Sequence, residues 1–225
     1  MSKPVEIEFA VDLNQPKGSP SLFNVLQIRP IVDNRETIAA HLDEIKNEDT
    51  IIFALKALGN GITNNVSDFI YIKPEAFNPA HNSNTAMRIG KLNDQMIAAH
   101  RGYILVGPGR WGSADPWLGI PVKWPQISAA RVIVESGLRH YRIDPSQGTH
   151  FFQNLTSFGV GYFTINPFLK DGHYDLDFLN EQPAVYEDEV IRHVQFNQAV
   201  VTLIDGKKNM GVILKPGKAT AVLEG

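Results

Sequence analysis

Cysteine is absent from the 225 residues. No disulfide framework and no thiolate chemistry is therefore available, and a reducing cytoplasm is the compartment that the composition fits. No apolar stretch approaches the ~20 residues needed to span a bilayer. The start, Met1-Ser-Lys-Pro-Val-Glu6, lacks the basic-then-apolar pattern of a secretory signal, so no membrane partner is expected. Excess positive charge is missing too. A net charge of −3 leaves nucleic acid without an electrostatic footprint. None of the seven histidines forms an i,i+4 pair, and no Cys/His spacing suggests zinc. Internal repeats and low-complexity segments are absent as well.

What is present is an ordinary globular composition, 43% hydrophobic and 20% charged, sized for one large domain or two small ones. Val5-Glu-Ile-Glu-Phe-Ala-Val11 alternates acidic and apolar residues with the period of a half-buried strand. After a polar Asn/Pro/Gly/Ser loop, Leu22-Phe-Asn-Val-Leu-Gln-Ile-Arg-Pro30 reads as its antiparallel partner. Asp33 opens a helix in a capping-box variant with Glu36, and Ile38, Leu42 and Ile45 give it one apolar stripe. Ile51-Ile-Phe-Ala-Leu-Lys-Ala-Leu58 suits helix or strand equally. A strand follows over 66–72. Ser83 or Asn84 then caps an amphipathic helix through Ala99, with Ile89, Leu92, Met96 and Ala99 facing the core.

That helix hands over to Tyr103-Ile-Leu-Val-Gly-Pro-Gly-Arg-Trp-Gly-Ser113, a buried strand delivering a tight loop. Gly107, Gly109 and Gly112 permit positive φ and close backbone approach. Two readings stand side by side. Exposed N–H groups with Arg110 and Ser113 could cradle an anion; alternatively, the loop is a structural turn that lets strands and a tryptophan pack closely. It is not a Walker A loop, because Gly-Lys-Ser/Thr is missing. It is no Rossmann fingerprint either, since Pro108 and Trp111 crowd the turn and Pro116 breaks the helix that should carry the pyrophosphate. Trp111, Trp117 and Trp124 mark a packed or ligand-contacting region. Beyond it lie an edge segment at 120–124, at most two helical turns at 126–130, and a strand at 131–135 ended by Gly137. A strand at 159–165, a short acidic helix or turn at 175–181, and strands at 190–196, 199–204 and 210–214 complete the chain. The last pair, joined at Asp205-Gly206, is a hairpin. His150, beside a helix start at Phe151, could accept a phosphoryl group or act in acid–base chemistry; the plainer role is one hydrogen bond in a capping loop.

Strand alternation places Glu6 and Glu8 on one face, and Gln27 and Arg29 on one face of the second strand. Where those faces coincide, hard oxygen ligands meet a guanidinium, as Mg²⁺ with phosphate oxygens requires; a solvent-facing polar side is the alternative. Glu6-Ile-Glu8-Phe9 followed by Leu26-Gln27-x-Arg29-Pro30 resembles the end of the ATP-grasp domain of the phosphoenolpyruvate synthase and pyruvate, phosphate dikinase family. The resemblance covers residues ~5–32. It implies that Glu8 and Gln27 are ligands of Mg²⁺ and ATP, that Arg29 is a catalytic, nucleotide-phosphate arginine, and that the chain is a piece of a longer protein, since only five residues precede Glu6.

That family follows its ATP-grasp domain with a swivelling phosphohistidine domain. Gly148-Thr-His150 is a faint echo of its histidine motif, departing where Phe151 and Phe152 replace small residues. The resemblance thus implies the C-terminal part of a phosphoenolpyruvate synthase-like phosphotransferase, inactive by itself, acting with the remainder of its parent on a nucleotide and a small phosphorylated or carboxylate substrate such as pyruvate. The alternative is a non-catalytic anion-binding or partner-docking domain appended to such an enzyme. The expected fold is mixed α/β: a short N-terminal β-hairpin remnant over 1–35, then one α/β domain over 36–225. In that domain the 103–108 strand lies near the centre of a mixed sheet, and an antiparallel hairpin ends the chain.

Overall fold

The computed structural model describes residues 5–12, 16, 22–30, 42–115, 117–138, 155 and 158–219. The chain divides into two compact units, Met1–Arg35 and Glu36–Gly225. The first is an antiparallel ribbon of β1 (Val5–Asp12) and β2 (Leu22–Pro30), with a bulge at Leu26 where the register shifts.

The second unit is a mixed α/β domain, the class the hydrophobic patterning predicts. Its strands are β3 (Thr50–Ala54), β4 (Lys56–Leu58), β5 (Gly61–Ile72), β6 (Tyr103–Pro108), β9 (Ala130–Ser136), β10 (Gly161–Ile165), β11 (His173–Tyr174), β12 (Ala184–Glu187), β13 (Ile191–Asp205) and β14 (Met210–Leu214). Two short strands, β7 (Arg110–Trp111) and β8 (Gly119–Ile120), pair separately in parallel. The helices are α1 (Asn82–Ala98) and α2 (Leu176–Glu181). The large sheet runs β11-β3-β14-β13-β5-β6-β9-β10-β4, with β12 beside β13. Strands β5, β6, β9 and β10 are mutually parallel, with β6 in the interior of the order, and β13–β14 is the expected antiparallel hairpin.

This sheet closes. β3 and β4 stand near opposite ends of the strand order, yet Leu55 alone separates them in the chain. The two ends must therefore meet at the Leu55 bend. Ala57 N–H donates to Asn209 O at 2.9 Å, tying β4 to the start of β14. A Cβ on Gly211 of β14 would lie 2.3 Å from the Phe163 ring of β10 and 2.9 Å from Ala57, so side chains meet across the interior. The octapeptide that fits helix or strand equally is thus one bent extended segment, sealing a barrel that leaves fewer open edges.

Closure buries both faces of the parallel strands. Phe69, Ile104, Val106, Val132, Val134 and Phe163 fill the interior. Ile70, Leu105, Ile133 and Tyr162 point outward beneath Ile89, Leu92 and Met96 of α1. Two-sided burial explains why Ile104-Leu-Val and Val132-Ile-Val are continuous apolar runs rather than alternating ones. Each such residue fully buried contributes ~1.5–3 kcal/mol, so these runs dominate the stability.

Several boundaries differ from expectation. α1 begins at Asn82, after a 3₁₀ turn capped by Asn78, so Ser83 and Asn84 lie within its first turn. Asn82 donates to Gly119 O at 2.9 Å instead of capping, and Ala99 is exposed at the C-cap. The strands expected at 190–196 and 199–204 are one strand, β13, with register shifts between Gln195 and Thr202. The helix expected from Asp33 lies outside the described residues except for a 3₁₀ turn at Leu42–Glu44.

Candidate functional site: the ribbon and the glycine loop

In the ribbon, Glu6 pairs with Arg29 and Glu8 with Gln27. Directly opposed residues of an antiparallel pair share a face, so these four positions lie on one side. Ile7, Phe9, Val11, Phe23, Val25 and Ile28 take the other side and are exposed, with the Phe9 and Phe23 rings stacked at 4.7 Å.

In the α/β unit, β6 delivers the glycine loop to the carboxyl ends of the parallel strands, where α/β sheets place ligand sites. Gly109 and Gly112 adopt φ of +79° and +75°, the positive values that favour glycine. Gly107 provides space: a Cβ there would sit 2.3 Å from Cζ2 of the buried Trp111 indole.

The loop's N–H groups are committed within the fold. Gly109 donates to Ser136 O at 3.2 Å, Arg110 to Leu118 O at 2.8 Å and Gly112 to Ile120 O at 2.8 Å. Trp111 donates to Glu135 Oε1 at 3.0 Å. Ser113 Oγ closes a local turn with Asp115, donating to its carbonyl at 3.0 Å and accepting its N–H at 3.2 Å. The backbone share of the anion cradle is thereby corrected. The backbone from Gly109 to Gly112 has no N–H to offer, and one of its acceptors is itself a carboxylate. The turn reading describes this backbone.

Glu135 is the residue that reading the sequence misses. It is 1% exposed, and its Oε2 accepts from Tyr162 Oη at 2.6 Å, which in turn accepts from Thr164 Oγ1 at 2.8 Å. A carboxylate at the end of an otherwise apolar run was the available signal, since such a group is buried only when partnered. Both oxygens serve as hydrogen-bond acceptors, so it braces loop to sheet. Ser136, Thr164 and Asn166, all buried, gather at the same strand ends, and Asn166 Oδ1 has no hydrogen-bond partner among the described residues.

The three tryptophans do not form one patch. Trp111 is core, Trp117 is 66% exposed, and Trp124 stacks on Phe158 with ring centroids 5.0 Å apart. His150 and its Gly-Thr approach lie outside the described residues, as do the side chains of Glu8, Gln27 and Arg29. Among the described residues no group of three or more His, Asp or Glu could hold a metal ion, and no helix is long and apolar enough to cross a membrane. No protein-family model, curated protein or solved structure matches this chain.

Proposed function

We propose that the ribbon completes a Mg·ATP site in a phosphoenolpyruvate synthase-like phosphotransferase, with Glu8 and Gln27 as metal and nucleotide ligands and Arg29 on the phosphates. The observation that carries this reading is the register, Glu6 opposite Arg29 and Glu8 opposite Gln27. A slip of one residue would have put Gln27 and Arg29 on the opposite face from the glutamates. Phosphoryl transfer asks chiefly for positioning and charge neutralisation, and an acidic–amide–guanidinium face supplies the groups for both. The exposed apolar side of the ribbon also supports it. A two-stranded hairpin is marginal alone, and such a face calls for cover by a larger sheet domain. On this reading that cover is the remainder of the parent chain.

The test is pyruvate-dependent ATP turnover by the longer protein carrying this ribbon, compared with its Arg29→Ala variant. A fall of about 10³-fold or more in kcat is expected for a phosphate-neutralising arginine. Unchanged turnover rejects the assignment.

A second reading is a non-catalytic anion-binding or docking role for the α/β unit; the internal commitment of the loop N–H groups leaves that loop no backbone donor for a transferring phosphate, so an anion there rests on the Arg110 side chain. Titration of this chain with Mg·ATP, phosphoenolpyruvate and pyruvate separates the two. Binding that survives Arg29→Ala but is lost in Arg110→Ala supports the second.

A further inference from the structure

At the amino ends of the parallel strands, the far end of the sheet from the glycine loop, lies a cavity of about 200 Å³. Its walls carry the side chains of Asn65, Ser67, Asp68, His100, Arg101 and Arg131. Strands β5 and β9 and the α1–β6 connection supply them. Asp68 of β5 is in register with Tyr103 of β6, and Tyr103 with Ala130 of β9, so Arg101 and Arg131 enter from positions flanking that row.

We propose that this cavity binds a phosphate group, as inorganic phosphate or the phosphoryl end of a small monoester. The charge balance comes first. Asp68 is 1% exposed and is the cavity's one carboxylate, and its charge is already answered: Oδ2 by the Arg101 guanidinium and Oδ1 by His193 Nε2 at 2.8 Å from behind. Arg101 uses one nitrogen for Asp68 and Ser67, and a guanidinium has five N–H donors. The Arg131 side chain makes no hydrogen bond or ion pair with the described residues. Two guanidiniums around one neutralised carboxylate is a like-charge arrangement that an anion relieves.

Backbone geometry points the same way. α1 ends in a Schellman motif, with His100 N–H donating to Ile97 O at 3.0 Å and Arg101 N–H to Met96 O at 2.9 Å. The left-handed position of that motif favours glycine, yet His100 occupies it at φ 53°. The imidazole is thus held at the cavity wall at a conformational cost. Two residues on is Gly102, where a Cβ would lie 2.6 Å from Arg131 Cγ. Its missing side chain is what lets Arg131 lie across the strand end.

Size and shape select the ligand. The cavity holds several waters' worth of volume, at ~30 Å³ each, but is smaller than the ~300–1,000 Å³ that encloses a nucleotide-sized molecule. One guanidinium from the α1–β6 connection, one from β9, a hydroxyl and an imidazole surround it, which suits a tetrahedral dianion better than the two coplanar oxygens of a carboxylate.

This inference is independent of the phosphotransferase reading, and its test uses neither ATP nor turnover. The intact chain is titrated at constant ionic strength with inorganic phosphate, glycerol 3-phosphate and acetate, following backbone amide shifts. Binding by phosphate or the monoester with a dissociation constant on the order of 1 mM or tighter is expected, and the tighter of the two identifies the source. Arg131→Ala should weaken it at least tenfold with Tm unchanged, because the Arg131 side chain has no polar partner among the described residues. His100→Gly should raise Tm by ~2–4 °C, relieving the left-handed strain, while weakening phosphate binding. A purely structural His100 would gain stability with no loss of affinity. No phosphate binding, unaltered affinity in Arg131→Ala, or equal affinity for acetate overturns the proposal.

Discussion

Glu135 and Trp111 are joined through the main chain: the carboxylate of the one accepts the backbone N–H of the other at 3.0 Å. The adjacent Val134 carbonyl accepts the Trp111 indole Nε1–H at 3.0 Å. Two consecutive residues of β9 therefore hold one residue of the loop by both its backbone and its ring. The glycine loop is placed by this grip, and its conformation does not depend on a ligand.

Removing that carboxylate strands buried donors. Glu135→Ala leaves the Trp111 N–H and the Tyr162 hydroxyl without their acceptor and should cost about 3 kcal/mol in urea unfolding. Glu135→Gln keeps one acceptor oxygen and should cost less. Equal stability of wild type and Glu135→Ala would show that the grip is dispensable.

Two glycines of the same region should differ in their response to alanine. At Gly119 a Cβ would sit 1.8 Å from the Arg110 carbonyl oxygen, which is backbone in the β7–β8 pair. At Gly107 the obstacle is the Trp111 ring at 2.3 Å, a side chain able to shift. Gly107→Ala should therefore cost ~1–3 kcal/mol, typical of overpacking, and Gly119→Ala more. Near-UV circular dichroism should change most in Gly107→Ala, where the indole must move.

The acid limb of stability should carry the mark of Asp188. Burial raises its pKa, but the Tyr186 hydroxyl, the N–H groups of Ile191 and Val190 at 2.7 and 2.8 Å, and the Arg88 guanidinium outweigh that and hold it below the ordinary carboxylate value. A folded pKa below the unfolded one means stability that is fully present above about pH 4 and lost as pH falls through the folded value. Asp188→Asn should lower Tm at pH 7 and flatten its decline below pH 4. A variant with the wild-type acid slope would contradict this.

At the alkaline end the sign reverses. Burial, offset in part by Arg192 and reinforced by Glu187 and Glu75, pushes the Tyr71 pKa up to about 12. Its contribution is intact below about pH 10 and is lost as pH rises towards 12. Burial raises Tyr103 and Tyr174 as well, so the alkaline decline should exceed one proton. Tyr71→Phe should remove one proton's share of that slope. It should also cost about 1 kcal/mol at neutral pH, through loss of the 2.8 Å hydrogen bond to Asn180 Oδ1.

The ladder of continuous apolar runs at 104–106 and 132–134 was legible because two-sided burial leaves an unbroken mark on a strand. The β13–β14 hairpin was legible because its turn is local. Ile51–Leu58 was not: its first half is largely buried while Leu55 and Lys56 are exposed, and the partners that make it two strands, β14 and β10, lie more than 100 residues away. Three closely spaced tryptophans suggested one site, but spacing along a loop does not fix direction, and the fold sends one ring inward and another to solvent.

The sequence by itself determined the mixed α/β class, the positions of the apolar strands around the glycine loop and their order of appearance, and a loop whose glycines must take unusual backbone angles. All of these follow from periodicity and local backbone sterics. Only the tertiary structure decided that the sheet closes at Leu55, that the loop's N–H groups are already donated, and that Arg101 and Arg131 meet around Asp68. Those are pairings between residues far apart in the chain, and no local pattern encodes which distant partner a buried polar group will find.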